Sequence, residues 1–453
     1  MGLLDELNET FESEGLAGEI YRKFYRTGID YLDYMNGKVS AETGELELGI
    51  CGGKILLIPG WSGSGKTTAA IQIGWNVVKD EEDGLLVFYD PERGTSHERL
   101  AQVTVGDLDY YLKHLKNRKI RLTNDDVASE DLTELIDKIY RIKMAHGCQV
   151  VFTKTGALEA KTDKRKMRAA AADLPPTVII TDSWAAMFPR EMSEMDKVAH
   201  GMFATARAKA NNAVVDQAKD KMYRANIILI VVNHIQKSVD TNQYAPDARP
   251  LKYMKEDETL PGGGRVCYYA DYAPRLEQKG KLTPDKEFGI KGFLQECIIC
   301  KSRNNASGIT ITLVFDQFHG IDNLLTNFLI LQNNGGIGGG GNAYHLKAYP
   351  DAGTFKKKTL HETYESDEGF AEAFDAAVAE ILDGFIRAIE AREIDQVEDE
   401  YQIGPDEIRG MTRTRLREYC EDEEVDIDWD DYKGKVGLKE AKEAVVEALF
   451  EEE

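Results

Sequence analysis

The chain has 453 residues, 42% apolar and 30% charged, a globular composition with room for one large core and one or two small lobes. No uninterrupted apolar run is long enough to cross a bilayer, so no membrane partner is expected. The net charge of −23 argues against indiscriminate duplex binding, yet about −13 of it lies beyond Ala391, in "EIDQVEDEY" and "EDEEVDIDWDD"; the mildly acidic remainder can still hold a local basic or amide-lined groove.

In chain order, "MGLLDELNETFESEG" is acidic where a secretory leader is basic, so a cytoplasmic location is expected. Residues 1–30 include "GLAGEIYRKFYRTG", read as a short N-terminal helix and linker. From "GIDYLDYMNG" to about Gly341, short apolar runs alternate with helical stretches. The runs "KILLIPG", "GLLVFYD", "TVIITD", "NIILIVVNH" and "ITITLVFD" are continuously apolar, as strands covered on both faces of a parallel sheet are. The fold class is therefore α/β, a mostly parallel twisted sheet flanked by helices.

Residues 143–173 include "KTGALEAKTDKRKMRAAAAD", a basic insertion read as a solvated loop or hairpin, with a second nucleic-acid contact as the alternative. Cysteines stand at 51, 148, 267, 297, 300 and 420; "CIIC" has redox spacing but lies in the strand-like "FLQECIICKS", which points to buried strand thiols. "GGIGGGG" at 335–341 reads as a flexible turn or linker. Within 343–392, "AEAFDAAVAEILDGFIRAI" predicts an amphipathic helix. In the tail from Gly404, Leu438, Ala441, Val445, Ala448 and Leu449 fall near one helical face. Four regions result: 1–30, 31–346, 347–403 and a small helical, acidic lobe at 404–453.

The chemistry starts at Gly60-Trp61-Ser62-Gly63-Ser64-Gly65-Lys66-Thr67, which satisfies G-x-x-x-x-G-K-[ST] between an apolar strand, Ile55–Ile58, and the helix start "TTAAIQIGWNVV". Glycines let backbone N–H groups converge on phosphates at a helix N-terminus. Lys66 can reach the β- and γ-phosphates, and the Thr67 hydroxyl can ligate Mg²⁺, with Thr68 beside it. ATP and Mg²⁺ are the expected cofactors. Asp182 closes "TVIITD" at a strand's C-terminal end, where open α/β sheets place ligand groups, and is the second expected metal partner. "LLVFYDPERG" ends another strand with Asp90 and Glu92; Glu92 is placed either to polarise water or as a surface turn residue, and the run alone leaves both open.

The order of these pieces resembles RecA-type ATPases, and within them the phage UvsX-like recombinases. The likeness runs from about Gly28 to Leu346 through "TGIDYLDYMNG", "IPGWSGSGKTT", "VFYDPERG", "VIITDSWAAMFPRE", "NIILIVVNHIQ", "LPGGGRVCYYADYAPRL", "CKSRNN" and "FDQFHGIDNLL". The resemblance implies that Glu92 activates water, that His234 senses the γ-phosphate, and that Lys301 and Arg303 serve the ATP of a neighbouring subunit. It also puts Arg99 beside the adenine.

Two DNA loops are implied, one near Arg190–Gly201 and one from Gln236 to Gly264. The second is long, polar and structureless by composition. Its candidate contacts are Lys237, Arg249, Lys252, Gly262, Gly263, Gly264 and the following Arg265, with Tyr244 or Tyr253 stacking on bases.

The implied function is an ATP-dependent recombinase that coats single-stranded DNA as a helical homo-oligomer and pairs it with homologous duplex. Phe24 and Tyr25 would dock on the next subunit. A single-stranded-DNA-binding protein and a loading mediator are further implied partners, and the host cytoplasm the location if the chain is viral. A ring-forming helicase or clock-type ATPase, and a non-catalytic mediator paralogue, are the alternatives. The insertion and the tail depart from the family pattern; the tail is similar to small helix–extended–helix modules of the SAP kind, or to an acidic protein-binding lobe.

Overall fold

A computed structural model describes residues 22–40, 43–125, 127–147, 150–152, 158–160, 171–193, 200–237, 249–284, 288–341, 343–386, 408, 416, 420 and 434–450. The chain divides into two units, Met1–Ala388 and Ile389–Glu453.

The first unit is built on nine strands: β1 (Ile55–Gly60), β2 (Leu85–Tyr89), β3 (Ile120–Thr123), β4 (Thr177–Asp182), β5 (Ile227–His234), β6 (Tyr272–Leu282), β7 (Gly292–Ser302), β8 (Thr310–Asp316) and β9 (Gly320–Asp322). They form one sheet in the order β9-β8-β7-β6-β1-β5-β4-β2-β3. The six from β6 to β3 are parallel, and β7, β8 and β9 are added antiparallel. This mostly parallel, helix-flanked sheet is the expected fold class and is compatible with a RecA-like core.

The continuous apolar runs are explained by the pleat. Successive side chains point to opposite faces, and both faces are covered. Leu56, Ile58, Leu86, Phe88, Val178, Ile180, Ile228 and Ile230 pack on one face with helices α1 (Asp30–Asn36), α2 (Lys66–Val78), α3 (His97–Thr104), α6 (Asn323–Asn333) and α7 (Glu368–Asp383). Ile55, Leu57, Val87, Ile179, Ile227, Leu229 and Val231 pack on the other with α4 (Ser129–Gly147) and α5 (His200–Arg224). Each such side chain, fully buried, stabilises the fold by roughly 1.5–3 kcal/mol.

Several expectations need correction. "ITITLVFD" is a strand, but an antiparallel one, since β6 to β9 are joined by short connections that reverse direction. "GGIGGGG" is not a free linker, because Ile337–Gly340 pairs antiparallel with Ala343–Leu346. The boundary expected at 346/347 falls inside the first unit. Phe355, Leu360, Phe370 and Phe374 join the same core as Leu346, which extends the unit to Ala388.

Tyr25 is buried at 5% exposure, and its hydroxyl accepts from Asn226 Nδ2 at 2.8 Å, so packing within its own chain takes it from the docking role expected for it. Phe24–Tyr25 forms a short strand against Ile50–Cys51.

The insertion opens inside α4 and continues as a hairpin, Val150–Phe152 against Leu158–Ala160; residues 161–170 lie outside the described part. Cys297 and Cys300 are buried free thiols on β7. The expected N-terminal helix, apart from residues 22–30, lies outside the described residues. In the second unit, helix α8 (Gly434–Phe450) buries Ala441 and Val445 as its periodicity predicted, together with Val446.

Candidate functional site

The parallel register brings the polar ends of four strands to one edge. His234 ends β5 beside Gly60 of β1, Asp182 ends β4 beside Val232, and Tyr89 of β2 lies beside Thr181. The glycine-rich loop leaves β1 there and enters α2 through Gly65, whose φ of 82° puts it in the left-handed region. A side chain on Gly65 would also run into the Phe315 ring at 2.5 Å. The first-turn N–H groups of α2 are thereby presented beyond the sheet edge.

Ser64 is fully buried and its hydroxyl has no partner among the described residues, which costs stability unless something supplies one. Its carbonyl accepts from Gln295 Nε2. Gly60 is closely packed, Leu276 O standing 2.5 Å from where a Cβ would lie, while Ser62 and Gly63 are exposed.

Lys66 is buried, donates to Trp61 O at 2.7 Å, and has its pKa pulled down to about 8 by desolvation. The Thr67 hydroxyl donates to Asp182 Oδ2 at 2.5 Å. Burial pushes the Asp182 carboxyl up to about 6. Glu92 accepts from the Ser183 hydroxyl and lies 3.1 Å from His234 Nε2; the His234 contact holds its carboxyl below the usual range.

Ligand atoms of Glu92, Asp182 and His234 all lie within 4.8 Å of one another, and this is the sole such group among the described residues. Asp90 faces elsewhere. It is buried and accepts the Gly94 and Thr95 N–H groups, fixing the turn that projects Glu92.

A cleft of ≈ 990 Å³ runs from Ser62, Gly63 and Lys66 past Thr68, Arg99 and His234 to Phe318. Arg99 is tied to its own chain, donating to Thr68 Oγ1 at 2.5 Å, Gln102 Oε1 at 2.8 Å and Phe318 O at 3.2 Å. The residues fit a Mg²⁺–triphosphate. There is a left-handed glycine at a helix start, an orphaned Ser64 hydroxyl, a buried ammonium, and a hydroxyl–carboxylate pair for a hard cation.

Lys301 and Arg303 are placed elsewhere. On β7, Lys301 lies beside Ala273 of β6, and Tyr272 lies beside Leu56, so the pair belongs to the Ile55 end of β1. By this register about 10 Å of strand separates Lys301, and about 17 Å Arg303, from the start of their own glycine loop, with β6 lying between β7 and β1. Lys301 Nζ donates to the Cys267 and Tyr268 carbonyls, and burial lowers its pKa. Arg303 Nε lies 2.9 Å from Asp271 Oδ1, which Lys54 approaches at 3.5 Å.

Among the described residues, the charged DNA candidates are engaged within their own chain. Arg190 pairs with Asp131 and, at 2.9 Å, Glu134; Lys237 pairs with Asp257 at 3.1 Å; Arg265 lies 3.7 Å from Asp216. Arg249 donates to Met254 O, and Lys252 lies over the Tyr253 ring at 5.4 Å. Gly262 and Gly263 have positive φ and pack closely on the Cβ side against Trp184 and α5, while nothing crowds Gly264. Tyr244 and residues 194–199 lie outside the described part. The expected structureless loop has a paired base, since Gln236–Lys237 ladders with Glu258–Thr259.

No family model and no curated protein matches this chain.

The sequence reading missed Ser183, Trp61 and Glu258. Ser183 could have been found as the residue after the strand-end Asp182. Trp61 Nε1 donates to Glu258 Oε1 at 3.0 Å, and Glu258, fully buried, is forked by Arg275 and accepts the Lys255 N–H at 3.0 Å. That chain of contacts joins the glycine loop to the base of the 236–264 segment. It spans 197 positions of sequence, and no local pattern announces it.

Proposed function

We propose that this chain is an ATP-dependent DNA recombinase: it binds Mg²⁺–ATP at the Gly60–Thr67 loop, hydrolyses it, and assembles head-to-tail on single-stranded DNA to pair it with homologous duplex. The observation that carries the reading is the division of labour between the two ends of β1. One end holds the loop, Lys66, Thr67, Asp182 and the Glu92–His234 pair. The other holds Lys301 and Arg303, set back along the sheet from that loop, and in this reading they serve the triphosphate of a second copy.

In this reading Lys66 and the loop amides take the phosphates, while Thr67 and Asp182 hold Mg²⁺. The metal supplies charge neutralisation on the phosphates when bound. Glu92, kept ionised by its partners, orients and polarises the attacking water. His234 bridges Glu92 to the strand that leads straight into Gln236–Lys237. A change at the phosphate end therefore reaches the second loop by two routes, His234 and Trp61–Glu258. A non-closing head-to-tail contact yields a helical filament, and binding to phosphates leaves recognition tolerant of sequence.

Electron microscopy of the chain with single-stranded DNA and a slowly hydrolysed ATP analogue tests the assembly. Open helical filaments are expected, and closed rings of fixed subunit number would overturn the reading in favour of a ring-type ATPase.

A further inference from the structure

A second hollow, of ≈ 460 Å³, lies between α1, α6 and α7 and shares no lining residue with the glycine-loop cleft. Leu324, Val378 and Ala379 give it carbon surface, and Asp30, Asn327 and Asp375 give it acceptors. Asn327 is only 2% exposed; its Nδ2 donates to Asp30 Oδ2 at 2.7 Å, while its Oδ1 has no partner among the described residues. A buried acceptor without a donor is a costly arrangement to keep. Asp375 accepts from the Tyr364 hydroxyl at 2.7 Å and has no ion pair among the described residues. It stands exposed at the rim of the hollow, and partial desolvation there holds its carboxyl above the usual range. The one cation of the wall, Arg26, is already shared between Asp30 at 2.8 Å and Asp33 at 2.7 Å.

The hollow is thus short of one positive charge and of N–H donors, and well supplied with carbon surface. A charge-rich divalent-ion site is not built here, since among the described residues no three Asp, Glu, His or Cys ligands of the hollow come within 4.8 Å of one another. Anions are repelled by the carboxylates. A guanidinium would seek a planar two-oxygen fork, whereas the acceptors here come from three separate helices, which suits the three divergent donors of an ammonium.

We propose that this hollow binds a primary alkylammonium group, with its carbon stem on Leu324, Val378 and Ala379 and its N–H donors on Asn327 Oδ1 and Asp375. The same chemistry is offered by a free diamine and by a lysine side chain. The site stands independently of the nucleotide reading.

Isothermal titration of the full chain with putrescine and with Nα-acetyl-lysinamide, at fixed ionic strength, tests it. Saturable one-site binding of at least one probe is expected. Putrescine alone assigns the site to free amines, the lysinamide alone to a side chain, and either result supports it. Asp375→Asn should weaken binding about tenfold or more, as removal of a charge-assisted hydrogen bond does. Ala379→Phe, which fills the hollow without touching the acceptors, should abolish it and decides the matter if the first variant misfolds by circular dichroism. No saturation by either probe, equal binding of neutral 1,4-butanediol, or undiminished binding in the folded variants would overturn the proposal.

Discussion

At the Gly60 end of β1 the charged groups face one another: Glu92 with His234, Asp182 with Thr67, Lys66 with a carbonyl of its own loop. At the Ile55 end, Lys54 and Arg303 share a single carboxylate, Asp271, which also accepts the Ile55 N–H, while Lys301 donates to the Cys267 and Tyr268 carbonyls. Neither end is self-sufficient. The first has a Ser64 hydroxyl without a partner among the described residues and a lysine whose pKa burial pulls down to about 8; the second has two cations on one carboxylate and a lysine capped by carbonyls. Under the proposed function the two ends meet across a subunit boundary, the cations of one copy serving the triphosphate of the next.

That contrast is open to attack from both sides. Under the proposed function, Lys301→Ala and Arg303→Ala should lower DNA-stimulated ATP turnover by about 10³–10⁵, the range for cations supplied in trans, while nucleotide binding by the isolated chain is unchanged. A fall in the isolated chain's nucleotide affinity would place these residues in their own subunit's site and end the comparison. Glu92→Gln should cost about 10²–10⁴ in turnover with binding retained, read by steady-state phosphate release and by nucleotide titration. Unchanged turnover would return Glu92 to the role of a turn residue.

The link between the glycine loop and the 236–264 segment predicts a stability effect. Arg275→Met leaves Glu258 buried without its partner and should reduce unfolding free energy by about 3–5 kcal/mol in urea titration. Glu258→Gln with Arg275→Met should recover much of that loss, because neither residue then carries a buried charge.

The smallest effect is on pH dependence. Mg²⁺ favours ionised Asp182, whose carboxyl sits at about 6, so affinity for Mg²⁺–nucleotide should fall as pH drops below about 6. A triphosphate favours protonated Lys66, whose ammonium sits at about 8, so affinity should also fall as pH rises through about 8, with proton uptake on binding. Titrations in buffers of different ionisation heat would show a plateau between those values. Affinity that climbs steadily above pH 8 would remove Lys66 from the phosphates.

Much of the fold was legible because five apolar runs and one glycine loop are local signals. A strand buried on both faces must be apolar at every position, and a tight turn into a helix must carry glycine. The likeness of the pieces to RecA-type ATPases added an order to them. The antiparallel half was less legible. "ITITLVFD" looks the same whether its neighbours run with it or against it, and "GGIGGGG" carries no side chains to reveal that it pairs with Ala343–Leu346. The DNA candidates were chosen for charge. Charge does not reveal that Arg190 has Asp131 within reach, or that Gly262 is packed under Trp184.

By itself the sequence determined the class of sheet, the glycine loop and its lysine and threonine, and the two strand-end residues Asp182 and His234, because each of these follows from neighbours a few positions away. Tertiary structure alone decided that Ser183 and His234 converge on Glu92, that Trp61 reaches Glu258, and that Lys301 and Arg303 are set back along the sheet from their own loop. Those relations join residues tens to hundreds of positions apart, and only the register of a packed sheet fixes such distances.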